Sequence, residues 1–582
     1  MMNSATSELP GKIKIALATK TDRPSIYRMR HDVYACELRQ HAVTAEESIS
    51  DPLDQGNIYI TAQIRGELAG FISITPPSHG RYSIEKYVNR DELPIRLDET
   101  TYEVRVLTVS SSHRHGGVAS CLMYAAFRWV EEHGGDQIIA MGRKDVLSIY
   151  LSFGVELLQR QVVSGAVTFE LMSTSVSHLR ALANSRQPFL MRLSEQVNWD
   201  FDFPFFKPPC CFHGGAFFEA IGAGFHALDR RETIVNADVL DAWFPPSPSV
   251  ISTLEKHLPW LAQTSPPTHC EGLREAIATY RGVRMENVLP GAGSSDLIYR
   301  AFLAWLHPKS RVLILDPTYG EYTHVLENVI GCCVDRLILS RRNGYQVNLD
   351  ELQWRIHRGY DLVILVNPNN PTGRHIPRAE LESVLSTVPA ETRVWIDEAY
   401  VDYVGSTESL ERFAAERENI IVCKSMSKAY ALSGMRVGYL CASPQQLYNL
   451  IPLTPPWTVG LLAQVAAVGA LEDRDYYEEQ YRKTHLLRLG MREALHSIGI
   501  REIVPGVANF LMLQLDASHA TSAQVTERAR QFGVFVRDVS KMGSSLGSRA
   551  LRVAVKDLSS NERILRMLEE CVLPLGPSAH WD

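Results

Sequence analysis

Five short runs of β-forming apolar residues, each followed by an interval long enough for a helix, constrain this chain more than any other feature. They are Val312 to Leu315, Leu362 to Val366, Val394 to Asp397, Ile420 to Cys423 and Val437 to Cys441. Runs without polar alternation are strands buried on both faces. Strand and helix in alternation predict an α/β fold with a mostly parallel sheet and covered faces. Open sheets of that kind bind ligands beyond the carboxyl ends of their strands. Two of those ends carry chemistry here: Asp397 closes one run, and Lys428 follows another in the stretch IIVCKSMSKAYALSGMRVGY.

A lysine amine forms a Schiff base with an aldehyde cofactor. An acidic partner keeps a pyridine nitrogen protonated, so that the ring becomes an electron sink. The pair therefore points to pyridoxal phosphate, with Lys428 bonded to it and Asp397 on its ring nitrogen. Tyr400 is placed to hydrogen-bond the phenolic oxygen, and Ser425, Ser427 and Arg436 to hold the phosphate. After the strand at 361–366 comes Asn367-Pro-Asn-Asn-Pro-Thr-Gly373, a tight turn that aims an amide into the site. VLPGAGSSDLIYRAFLAWL sets Gly291, Gly293, Ser294 and Ser295 just before a helix, where backbone N–H groups hold a phosphate.

These three stretches in this order resemble the pyridoxal-phosphate fold-type I superfamily. NPNNPTG, DEAY and SKAYALSGMRVGY are similar to histidinol-phosphate aminotransferase. His213-Gly214-Gly215, PPWTVGLLAQ, ANFLML and VRDVSKMGSSLGSRALRVAVKDLSSNERIL are similar to threonine-phosphate decarboxylase. The resemblance covers about 212–577 and implies a large domain, a small C-terminal α/β subdomain from about 470, and a homodimer. It implies that Tyr319 stacks on the cofactor ring and that Asn370 bonds its phenolic oxygen. Arg552 would fork a substrate carboxylate, with Arg537 and His213 near a phosphate or other distal anion. Two stretches depart from the family. Ser265 stands about where a tyrosine reaches the partner's cofactor, and DVLDAWFPPSP replaces an Asn-Pro-rich substrate loop.

Residues 12–173 read as a separate domain. A strand from Tyr102 to Val109 runs into SSSHRHGGVAS and then a helix from about Ala119 to His133. Strand, glycine turn and helix present backbone N–H groups to a pyrophosphate. Arg114-x-x-Gly117-x-Ala119 and Tyr150-Leu-Ser-Phe-Gly-Val155 resemble the acyl-CoA elements of the GNAT acetyltransferase family, an α+β fold. RMRHDVYACELRQH and TYEVRVLTV are similar to its autoinducer-synthase and N-acyl-amino-acid-synthase branch. That implies acyl-CoA as co-substrate (acetyl-CoA in the first instance), Tyr150 as the acid for the leaving thiolate, and Glu103 or Arg105 facing the acceptor amine.

Residues 174–211 read as a linker, with Val176 to Ser185 a candidate short helix within it. Trp199-Asp-Phe-Asp-Phe-Pro-Phe-Phe within it is expected to pin against a neighbouring domain or subunit. The formal charge of −7 gives no basic field for nucleic acid or anionic membrane. No run approaches the ~20 apolar residues that span a bilayer, and no secretory signal is evident at the N-terminus, so the expected location is cytoplasmic. The ten cysteines have neither disulfide-framework nor metal-ligand spacing, and no metal is expected. The leading reading is a bifunctional biosynthetic enzyme. One domain transaminates an amino acid or amino-phosphate compound, and the other acylates an amine from acyl-CoA. Decarboxylation of an amino acid or phospho-amino acid stays open, as does an acyl-CoA sensor with a regulatory second domain.

Overall fold

The computed structural model describes residues 12–93, 95, 97–114, 117–207, 214–222, 224–225 and 227–572. They fall into two compact units, Met1–Pro208 and Pro209–Asp582.

The first unit is built on one eight-stranded sheet. Its strands are β1 (Ile13–Leu17), β2 (Ile58–Ile64), β3 (Glu67–Thr75), β4 (Thr101–Val109), β5 (Gln137–Arg143), β6 (Glu156–Ser164), β7 (Val167–Ser175) and β8 (Val197–Asp200). They lie in the order β6-β7-β5-β4-β3-β2-β1-β8. β4 and β5 run parallel, but their ladder covers only Thr101–Glu103 against Gln137–Ile139. Beyond it the two strands part. The helix Val118–Glu132 buries Val118, Leu122 and Ala125 in one core with Ile60 and Ile72.

In the stretch read as a linker the short helix at Val176–Ser185 is present, and a second helix and a strand follow it. The second helix is Gln187–Glu195, and the strand is β8, which pairs with β1 from Ile13↔Val197 to Ala16↔Asp200. Without β8 the backbone groups along that side of β1 would form an open sheet edge, and pairing removes it. Trp199, Phe201, Phe203 and Phe205 recur every second residue and pack on the core of their own unit. Tyr124 Oη and Arg128 Nη1 donate to the Phe205 carbonyl at 2.7 and 2.6 Å.

In the second unit β9 (Val235–Asn236) comes first. The large sheet follows: β10 (Val288–Gly291), β11 (Arg311–Asp316), β12 (Cys333–Ile338), β13 (Leu362–Val366), β14 (Arg393–Asp397), β15 (Ile420–Ser425) and β16 (Gly438–Cys441). Its order is β10-β16-β15-β14-β13-β11-β12. The pairs from β12 to β15 are all parallel, and β16 runs antiparallel between β10 and β15. Alternate residues enter two cores. Val363, Leu365, Val394, Ile396 and Val422 join one, and Leu362, Ile364, Trp395 and Ile421 the other. This two-sided burial is why these strands read as unbroken apolar runs. β17 (Glu502–Ile503), β18 (Phe510–Gln514), β20 (Arg537–Asp538) and β21 (Ala550–Ala554) form a smaller sheet, and β19 (Val534–Phe535) pairs with β9. Among the described residues no helix is long and apolar enough to cross a membrane.

Beneath the large sheet's carboxyl edge lies a buried ionic cluster. Arg281 donates through Nη2 to Asp402 at 3.0 Å and pairs through Nε with Glu411 at 3.1 Å. Lys424 reaches Asp402 at 3.2 Å and Glu398 at 3.5 Å. Removing one partner strands the others in a low dielectric. The Arg281→Ala variant is therefore expected to cost the second unit about 3–5 kcal/mol, read from its transition in guanidinium denaturation.

Candidate functional site

Pairing of β14 with β15 sets Asp397 opposite Cys423, and a short helix, Met426–Ala429, carries Lys428 just past the end of β15. Both side chains line one cavity of about 460 Å³. Asp397 is fully enclosed. Its Oδ2 accepts from the Tyr322 hydroxyl at 2.7 Å and its Oδ1 from the Ala399 N–H at 3.0 Å. Trp395 Nε1 in turn donates to the Tyr322 oxygen at 2.9 Å. Burial pushes the Asp397 carboxyl up to about 6, although both hydrogen bonds pull it down. Burial also lowers the Lys428 ammonium, opposed by the charge of Asp241.

One end of the cavity is rich in hydroxyl and cationic groups. Ser294, Ser295, Ser425, Ser427 and Arg436 all line it. Gly293 has φ +86° and caps the helix Ser294–Trp305, and a Cβ there would lie 2.5 Å from Arg436 Nη2. Arg436 Nη1 lies 3.5 Å from Ser427 Oγ. Ser295 Oγ donates to Glu321 at 3.0 Å. Tyr319, Tyr400, Asn370 and Arg552 line the remaining wall. Arg552 is buried and donates through Nη1 to Asn370 Oδ1 at 2.6 Å and through Nη2 to the Asp238 carbonyl at 2.9 Å. Its Nε has no acceptor. Burial brings its guanidinium down to about 10.

Arg537 does not line this cavity and pairs with Asp238 at 3.3 Å. His213 lies outside the described residues. Sequence reasoning missed two groups. Tyr322, the support of Asp397, follows Tyr319 by one helical turn in DPTYGEY, and that spacing was its signal. Asp241 sits in the departing segment DVLDAWFPPSP and lies 2.8 Å from Lys428 Nζ. No local pattern announces it.

The residues fit pyridoxal phosphate. A cationic, hydroxyl-rich end with a helix N-terminus suits a phosphate. A buried carboxylate suits a protonated ring nitrogen, and a lysine stands in the same cavity. Arg552 Nε is an unfilled buried donor for an anion.

In the first unit a largely apolar cavity of about 480 Å³ opens where β4 and β5 part. Met123, Phe127, Leu179, Leu182 and Leu190 line it, together with Arg105 and Tyr150. Burial raises the Tyr150 hydroxyl. Glu103 is not on this wall. It is buried and accepts from Ser83 N at 2.7 Å, Ser83 Oγ at 2.5 Å and Ile84 N at 3.1 Å. Arg105 donates to Asp51 at 3.0 Å. Arg114 bonds the Val109 carbonyl at 3.3 Å and ion-pairs with Glu37. Gly117 holds φ +79° before the helix whose first turn contains Ala119.

The family model for aminotransferases of class I and II matches residues 243–568. That for the acetyltransferase (GNAT) family matches 24–154. A histidinol-phosphate aminotransferase of Moorella thermoacetica is 31% identical over 328 residues, 56% of this chain and 82% of that protein. An aromatic amino acid aminotransferase of Nocardia farcinica is 33% identical over 327 residues, 55% and 87% of the two chains. The structure of histidinol-phosphate aminotransferase from Sinorhizobium meliloti, in complex with pyridoxal-5'-phosphate, superposes with a TM-score of 0.54 at 21% identity. It covers 64% of this chain and 95% of that one.

The raised Asp397 gives a pH test on the cofactor-free chain. The folded chain keeps this proton to about pH 6, whereas the unfolded chain releases it near 3.8. The folded state thus binds more protons in that window, and this group's stabilisation is lost as pH rises through it. Between pH 4 and 7 the wild type should lose ~2 kcal/mol relative to Asp397→Asn, read as the difference in denaturant midpoints of the second unit.

Proposed function

The chain belongs to the class I and II aminotransferase family, and we propose that its second unit moves the amino group of an amino acid or amino-phosphate compound. The reading rests on Lys428, Asp397 and the Arg436 end sharing one cavity. Pyridoxal phosphate, when bound, supplies a sink for the electrons of a bond broken at the substrate's α-carbon. Ser294, Ser295, Ser425, Ser427 and Arg436 hold its phosphate. Asp397 keeps a proton on the ring nitrogen and is itself oriented by Tyr322. Tyr319 covers the ring, and Tyr400 and Asn370 serve its phenolic oxygen. Arg552 takes the substrate carboxylate, whose oxygen gives the buried Nε its acceptor. Lys428, lowered by burial, is available as the neutral amine that takes a proton from the α-carbon and returns it elsewhere. Assembly as a homodimer and a cytoplasmic location belong to the same reading.

The first unit is proposed to acylate an amine from an acyl-CoA. Arg114, Gly117 and Ala119 belong to the turn and helix start that face the pyrophosphate. The cavity between β4 and β5 takes the acyl arm, and its apolar lining suits an acyl chain longer than acetyl. Tyr150 on its wall protonates the leaving thiolate. Glu103, bonded by Ser83 and Ile84, holds that turn against β4 rather than touching the amine.

Two experiments test these readings. With an amino donor and a keto-acid acceptor, the chain should yield the donor's keto acid. Lys428→Ala should lower turnover by about 10²–10⁴-fold or more, while Arg552→Lys should raise KM about tenfold or more. Carbon dioxide release without keto acid would give the decarboxylase instead. Thiol release from acyl-CoA with an amine should fall about 10²-fold in Tyr150→Phe. Binding of acyl-CoA without release under any pairing would leave the first unit a sensor.

A further inference from the structure

Resting on the aminotransferase reading, we propose that Asp241 selects a substrate whose side chain ends in a cation, an ammonium or a guanidinium, rather than a phosphate. The loop around Asp241 is fixed from three sides. Asp238 O accepts from Arg552 Nη2 at 2.9 Å, Leu240 O from Asn509 Nδ2 at 2.9 Å, and Asp241 O from Lys556 Nζ at 2.9 Å. These bonds hold the Asp241 carboxylate on the cavity wall, 2.8 Å from Lys428 Nζ, with its side chain about one-third exposed to the cavity.

Lys428 is the partner of Asp241 only while its nitrogen is otherwise unused. Ser433 also bonds the Asp241 carboxylate and the charge of Lys556 acts on it, so a substrate cation competes with Lys428 for this group rather than filling an empty place. The other cationic side chains on the wall are Arg436 and Arg552. The first belongs to the cofactor phosphate and the second to the substrate carboxylate. No further positive group on the described wall is left for a phosphate on the substrate. Arg537, which the family resemblance assigned to a distal anion, faces Asp238 at 3.3 Å and is charge-compensated there. The rest of this side is Phe217, Phe218, Val239 and Leu240, with the two rings 4.3 Å apart. Aromatic faces and a carboxylate together receive the stem and head of a basic side chain. The arrangement also couples recognition to chemistry. The charge of Asp241 favours the ammonium form of Lys428. A substrate cation that takes Asp241 frees Lys428 to act as the neutral base.

The test is calorimetric binding to the full, cofactor-loaded chain of three α-methyl amino acids, which lack the α-proton and cannot be transaminated. They are α-methylornithine, its neutral isostere α-methylnorleucine, and α-methylserine O-phosphate. The cationic ligand should bind about ten- to hundredfold more tightly than the isostere, as for a charged hydrogen bond, and the phosphate most weakly. In Asp241→Asn that ratio should collapse to within about twofold, and in Asp241→Glu its sign should persist. A wild-type ratio near one, tightest binding of the phosphate, or a ratio that survives Asp241→Asn overturns the inference alone. A chain that takes up no cofactor overturns the aminotransferase reading with it.

Discussion

The second unit depends on one pairing, β14 against β15, with Asp397 opposite Cys423. It places a carboxylate and, a few residues on, a lysine at one sheet edge. Neither group would persist there alone. Asp397 is buried deeply enough that its carboxyl is pushed up to about 6. Its charged form is tolerated because Tyr322 and the Ala399 N–H donate to it. Trp395, wholly buried, fixes Tyr322 in turn. A chain of neutral donors thus stands where a counter-ion would ordinarily be needed.

The same edge carries a second arrangement of buried charge. Lys424 and Arg281 sit among Glu398, Asp402 and Glu411, all almost fully enclosed. Clusters of this kind add little net stability over an apolar core, but removing one member leaves the others uncompensated. Lys424 and Glu398 are direct neighbours of the cavity residues Ser425 and Asp397 in the chain. The cluster therefore ties the ends of β14 and β15 to one set of buried charges, one residue away from two groups of the cavity.

In the first unit the decisive feature is a pairing that stops. β4 and β5 bond for three residues and then separate, and the opening is filled by an apolar cavity instead of a ladder. Helices 176–185 and 187–195 supply Leu179, Leu182 and Leu190 to that cavity. They lie beyond the residues matched by the acetyltransferase family model. The cavity wall thus includes residues outside that match.

Much of this was legible in the sequence, and the reason is local. Apolar runs such as Leu362–Val366 state two-sided burial directly, and motifs such as SMSKAY and NPNNPTG fix residues within a few positions of one another. What the sequence left open depends on distant segments meeting. Glu103 reads as a candidate base on a strand, but Ser83 and Ile84, about twenty residues away, saturate it. Residues 197–200 read as part of a linker because their partner, β1, lies more than 180 residues earlier. Asp241 stands 187 residues before Lys428, and only the fold brings the two within 2.8 Å. Strand character and cofactor motifs are set by neighbours in the chain. Which carboxylate meets which cation is set by packing, and tertiary structure alone decides it.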